Sequence, residues 1–115
     1  MPYVEMKLSI PLSAQQTVAL KTTLGQLIPL IPTKTEKSLM VCLEGGHRMF
    51  LAGDDAAPTA YCVVKLFRPT TVEAKDAFVR ALAEVLAKDY GVEATRLYVN
   101  FEEHPVWGSG GVLKT

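Results

Sequence analysis

Thr59–Glu73 reads TAYCVVKLFRPTTVE: strand-forming residues, a proline, then a hydroxyl three residues ahead of an acid. Thr59 to Phe67 is almost continuously apolar, as in a strand covered on both faces. Pro69 stops it, because proline brings no N–H to a ladder. Thr70-Thr-Val-Glu73 matches a capping box and predicts a helix start. Val72, Val79, Leu82, Val85, Leu86 and Tyr90 then fall on one helical face, with Lys75, Asp76, Arg80, Glu84 and Lys88 largely elsewhere. Gly91 is placed to cap the C-terminal end, and Arg96 to Phe101 reads as the next strand.

The same order stands earlier in the chain. From Tyr3 to Ile10, Val4, Met6, Leu8 and Ile10 alternate with Tyr3, Glu5, Lys7 and Ser9, which is strand periodicity. Pro11 stops that run, and Ser13-Ala-Gln-Gln16 is a capping box. Leu20, Leu24, Leu27, Ile28 and Ile31 follow at helical spacing, and Pro29 places the helix end near Leu27 or Ile28. Leu39 to Leu43 is a short apolar strand. Ser13 and Thr70 are 57 positions apart, Leu39 and Arg96 also 57, and Pro11 and Pro69 58. That offset predicts two βαβ units in a pseudo-two-fold repeat, each with a right-handed crossover and parallel strands. The fold class expected is α+β, with a four-stranded mixed sheet and two helices on one face. Between the units, Glu44-Gly-Gly46 and Gly53-Asp-Asp55 are turns, and Arg48 to Leu51 reads as a brief strand. The tail, Val106 to Thr115, carries three glycines and no helical pattern.

A chain of 115 residues makes one domain, 1–115. Twelve Lys and Arg balance twelve Asp and Glu, which argues against nucleic-acid or membrane partners recruited by bulk charge. Cys42 and Cys62 show no metal-like spacing and sit in apolar runs, so two buried thiols in a reducing compartment are expected. No basic-then-apolar signal stretch opens the chain, and no apolar run approaches the ~18–20 residues of a membrane span. The expectation is a cytoplasmic protein. Helices on one face leave the other face of the sheet bare. Leu39–Leu43 and Tyr61–Val64 are too apolar for that face to be wet, and further copies of the chain are the simplest cover.

Met1-Pro2 at the start, two βαβ units in this length and a bare sheet face resemble the tautomerase superfamily. Within it the chain is similar to the macrophage migration inhibitory factor branch. Arg96-Leu-Tyr-Val-Asn-Phe101 resembles that branch's Arg-Val-Tyr-Ile-Asn-Tyr. Arg48-Met-Phe-Leu-Ala-Gly53 resembles its Met-x-Phe-Gly-Gly loop, Lys34 stands where it has a lysine, and Pro58 and Cys62 also align. The resemblance extends to Trp107. It implies a homotrimer with active sites between adjacent subunits, no cofactor and no metal. The implied activity is keto–enol tautomerism of small α-keto acids such as phenylpyruvate. The alternative implied is a signalling or binding protein of this fold with a weak or vestigial pocket.

Pro2 has two readings. Proline is tolerated at the start of an edge strand. The resemblance implies instead that Met1 is removed and that the Pro2 amine is the catalytic base. An α-amine has a pKa of roughly 7.7–8.0, and burial lowers it, leaving a neutral base near pH 7. With Met1 attached, the Pro2 nitrogen is an amide without basicity. The resemblance also implies substrate contacts. Lys34 is expected to pair with the substrate carboxylate. Tyr98 and Asn100, two apart on one strand and so on one face, are expected to reach the neighbouring subunit's pocket. Trp107 would form an aromatic wall, and Phe67 stands where the branch has isoleucine, narrowing the pocket. Arg48 or Arg68 would join the site if the same proline served decarboxylation or hydration. The tail Val106-Trp-Gly-Ser-Gly-Gly-Val-Leu113 departs from the branch's Gly-Trp-Asn-x-Ser-Thr-Phe, so the closing aromatic residue is not carried over. Thr59 replaces the first cysteine of a Cys-x-x-Cys, so no thiol redox activity is implied. His47, beside Gly45-Gly46, reads as an exposed turn residue.

Overall fold

In the computed structural model, which describes residues 1–115, the Ser13 capping box forms in full. The Gln16 N–H donates to Ser13 Oγ at 3.0 Å, and the Ser13 N–H donates to Gln16 Oε1 at 2.9 Å. Helix α1 (Ala14–Leu27) starts there and ends two residues before Pro29, followed by a 3-10 turn over Ile28–Leu30.

Helix α2 (Val72–Tyr90) starts one residue later than expected. Its cap is Thr71, whose hydroxyl accepts from the Ala74 N–H at 3.1 Å. Thr70 is tied elsewhere, its N–H donating to Glu103 Oε2 at 2.7 Å. Two successive threonines offered both registers, and the Glu103 contact selects the second. Glu73 therefore falls at the second helical position and closes no capping box. The buried stripe moves accordingly to Ala74, Phe78, Leu82 and Leu86, at strict i, i+4 spacing, while Val72 is exposed. Gly91 ends the helix at φ 69°, a left-handed conformation that glycine adopts without a Cβ clash.

Strands β1 (Pro2–Leu8), β2 (Met40–Glu44), β3 (Ala60–Phe67) and β4 (Leu97–His104) form one sheet in the order β2-β1-β3-β4. β1 runs parallel to β2, β3 parallel to β4, and β1 antiparallel to β3. This is the expected pair of βαβ units, with the two caps, Ser13 and Thr71, 58 positions apart. Val4, Met6 and Leu8 of β1 and Cys62, Val64 and Leu66 of β3 share one buried cluster with Leu20, Leu24 and Ile28 and with Phe78, Leu82 and Leu86. Both helices therefore cover the same face.

The other face differs from the expectation. It carries Tyr3, Glu5 and Lys7 of β1, Met40 and Cys42 of β2, Tyr61 and Lys65 of β3, and Tyr98 and Asn100 of β4. It is mixed rather than continuously apolar, although Met40 and Tyr98 are 66% and 62% exposed. The two thiols fall on opposite faces: Cys62 is buried, which pushes its pKa up to about 12, whereas Cys42 is half-buried.

Two segments differ from their reading. Arg48–Leu51 is no strand: Leu51 and Asp54 exchange backbone hydrogen bonds, both 3.0 Å, closing a tight turn with Ala52 and Gly53 at positive φ. The tail is a hairpin of β5 (Trp107–Ser109) and β6 (Val112–Lys114). Gly110 and Gly111 both take positive φ, the requirement of a two-residue hairpin turn matched to strand twist.

Candidate active site

Pro2 is the first residue of β1, and β1 lies inside the sheet, paired on both sides. The edge-strand reading of this proline is therefore wrong. Its place is the strand's first position, where a missing N–H is tolerated. Pro2 is buried and stands opposite Leu66.

Its surroundings are assembled from both halves of the repeat. The Phe67 N–H donates to Met1 O at 3.3 Å, and Lys34 Nζ donates to Phe67 O at 3.0 Å. Lys34 is held by its own N–H on Ile31 O at 3.1 Å, after Thr33 turns the chain at φ 69°. The Met1 amine is held below its ordinary 8.0, first by burial, then by the charge and contact of Lys34, then by Lys114. A cleft of about 500 Å³ opens beside Met1 and Pro2, walled by Ser38, Met40, Lys65, Trp107 and the Gly108–Gly110 turn. Lys34 is not part of that wall; it lies beside the Met1 amine.

One chain brings together Pro2, Lys34, Phe67 and Trp107. It does not bring in Tyr98 and Asn100. These stand opposite Tyr61 and Val63 on β3, five and three residues from Leu66, the partner of Pro2. At about 3.3 Å per residue and about 4.8 Å per strand, they lie roughly 19 and 14 Å from Pro2. Tyr98 points to solvent, and Asn100 Nδ2 donates to the Tyr61 hydroxyl at 3.5 Å. Arg68 clamps the tail, donating to Thr115 O at 2.7 Å. Arg48 lines a separate 380 Å³ groove with His47 and Asp55. His47 is half-buried, its ring 3.3 Å from Glu44, rather than a free turn residue.

Lys65 and Ser38 escaped the sequence reading. The place of Lys65 follows from the antiparallel β1–β3 register, which sets it opposite Tyr3, one step from Pro2, and no local sequence pattern gives that register. Glu5, Cys42 and Glu44 place potential metal-ligating atoms within 4.8 Å of one another on the open face. Tyr3 already donates to Glu5 at 3.0 Å, and His47 faces Glu44.

The two βαβ units, the mixed sheet and the cleft at the start of an interior first strand define a fold of the tautomerase superfamily. The model of the family described as macrophage migration inhibitory factor (MIF) matches residues 1–112, and the chain belongs to this family. No curated protein matches it by sequence. Among solved structures it is similar to MIF2 of Leishmania major, with 22% identity, TM-score 0.90, and 99% of this chain and 97% of that one covered. The MIF homologue of Prochlorococcus marinus is 25% identical, with TM-score 0.79 and 96% and 97% covered. Pt0534, solved after inactivation by 2-oxo-3-pentynoate, is 21% identical, with TM-score 0.81 and 96% and 94% covered. No helix of this chain is long and apolar enough to cross a membrane.

Proposed function

We propose that the protein is a keto–enol tautomerase of small α-keto acids, of phenylpyruvate type, with the Pro2 amine as general base once Met1 is removed. The carrying observation is the position of the Met1–Pro2 bond. Pro2 is buried and Met1 half-buried at the start of an interior strand beside Lys34, where the chain-terminal amine is held below its ordinary pKa, first by burial and then by Lys34. A neutral amine there takes the enol O–H proton and returns it to C3 in ketonisation, or runs the reverse, with no net proton change. Removing Met1 vacates the space beside Lys34, which then faces the substrate carboxylate and offsets enolate charge. Phe67 holds Lys34 through its carbonyl, and Trp107 walls the cleft.

The reading needs a second copy. Tyr98 and Asn100 lie too far from Pro2 in their own chain, and they stand on the sheet face that the helices leave open. A homotrimer with sites between subunits supplies them from a neighbour. Asn100→Ala should then lower ketonisation by about 100-fold, as loss of an oxyanion donor does. Met1-bearing chains should be inactive as well. Co-refolded one to one, the two should regain about a quarter of the wild-type sites, because each site draws on two chains. Recovery no better than the two parents would place both functions in one chain.

2-Oxo-3-pentynoate is an α-keto acid with a conjugated alkyne that an amine can add to. Incubation with the processed protein should add one inhibitor mass per chain, on Pro2, and abolish ketonisation of phenylpyruvate enol. Processed protein that ketonises the enol no faster than buffer would overturn the proposal and favour a binding role.

A further inference from the structure

We infer that Lys65 is a second anion-binding group of the Pro2 cleft, so that an α-keto acid with a second carboxylate is preferred to the monoacid of the same chain length. The inference rests on the proposed tautomerase reading and names its substrate class.

Lys65 lines the cleft, whereas Lys34 lies outside its wall and is tied to Phe67 O. Lys65 and Phe67 are two apart on β3 and share its open face, so their backbones lie about 7 Å apart. The two lysines are thus tied to β3 positions on either side of Leu66, the residue opposite Pro2. Lys65 is not consumed by the fold. Its one carboxylate neighbour is Glu102, at 4.0 Å, the outer limit of an ion pair, and Glu102 also faces the His104 ring at 3.4 Å. The Lys65 side chain is 41% exposed and lies 6.0 Å from the Tyr3 ring centroid.

The rest of the wall is mixed: Tyr3, Met40 and Trp107 offer apolar surface, and Lys65 is its one cationic side chain. Lys34, Lys65 and Lys114 lie near the Met1–Pro2 terminus, with Glu102 and Glu103 set opposite Lys65 and Leu66 on β4. A lysine in a cleft, loosely paired and beside the proposed base, recognises a carboxylate as a point charge.

The test compares 2-oxoadipate with 2-oxohexanoate, which have the same carbon chain with and without the second carboxylate. C3 proton–deuterium exchange by the processed protein reads turnover. Quenching of Trp107, the only tryptophan, reads binding independently. The diacid should be favoured about tenfold in both readouts, the worth of one charge-assisted contact. Lys65→Met should bring both ratios to near one, and Lys65→Arg should keep them. Equal ratios in the wild type, or a diacid preference that survives in Lys65→Met, would overturn the inference. Diacid-selective quenching without exchange would sink the catalytic reading and leave Lys65 as an anion site.

Discussion

Processed protein, with Pro2 as its first residue, is expected to ketonise phenylpyruvate enol at least about 100-fold faster than protein that keeps Met1, the usual worth of a positioned base. The argument is one of bond type. An amide nitrogen has no proton affinity near pH 7, whereas a secondary amine in the same place does. The structure supplies the tuning: burial and the Lys34 charge both oppose a cation at this terminus. The sign follows. Activity needs the neutral amine, so it falls as pH drops through the amine's pKa, and a lowered pKa keeps the base neutral to lower pH. Lys34→Ala removes the opposing charge, so the acid limb of the pH–rate profile should move to higher pH as well as KM rising. Rates that match in the two terminal forms, confirmed by intact mass, would remove Pro2 from the mechanism.

Phe78→Ala should cost about 3–5 kcal/mol of folding stability, measured by urea unfolding. Phe78 is fully buried, on the inward stripe of α2, and its ring meets Phe101 of β4 edge-on at 6.1 Å and 77°. Truncation removes a helix-to-sheet contact and leaves a cavity that neither rigid element can close. Against the 5–15 kcal/mol of an ordinary domain this is about a fifth or more of the total. Phe78→Leu should cost far less, since it fills most of the volume. A loss below about 1 kcal/mol for the alanine variant would show that the two elements repack.

Phe78 also shows where sequence reasoning runs short. The α2 stripe traced from Val72 included Leu82 and Leu86 and missed Phe78, because the true register starts at Ala74. Which of Thr70 and Thr71 caps the helix depends on Glu103, more than thirty residues away, and no local pattern contains that. The repeat itself was legible, because prolines, caps and strands recur at one offset and each follows from local chemistry. The tail hairpin was legible too, in Gly110-Gly111, but a search for helical periodicity passes over it.

The site divides along the same line. That Tyr98 and Asn100 share a face follows from period two. Their distance from Pro2 follows only from strand order, which sequence patterning leaves open. Lys65 needed the β1–β3 register before its place beside Pro2 became visible. The polar residues on the open face were hidden by the continuous apolar look of Tyr61–Val64, in which Cys62 and Val64 point one way and Tyr61 and Val63 the other.

The interior position of β1 sets an order of events during synthesis. Its partner β3 is made some sixty residues later, roughly 3–12 s at ordinary elongation rates. Until then the leading residues have no antiparallel partner and stay open to an aminopeptidase. Once Met1 O takes the Phe67 N–H, the bond ahead of Pro2 is pinned within the sheet. A chain that is to lose Met1 would therefore lose it most readily while nascent, before β3 pairs with β1.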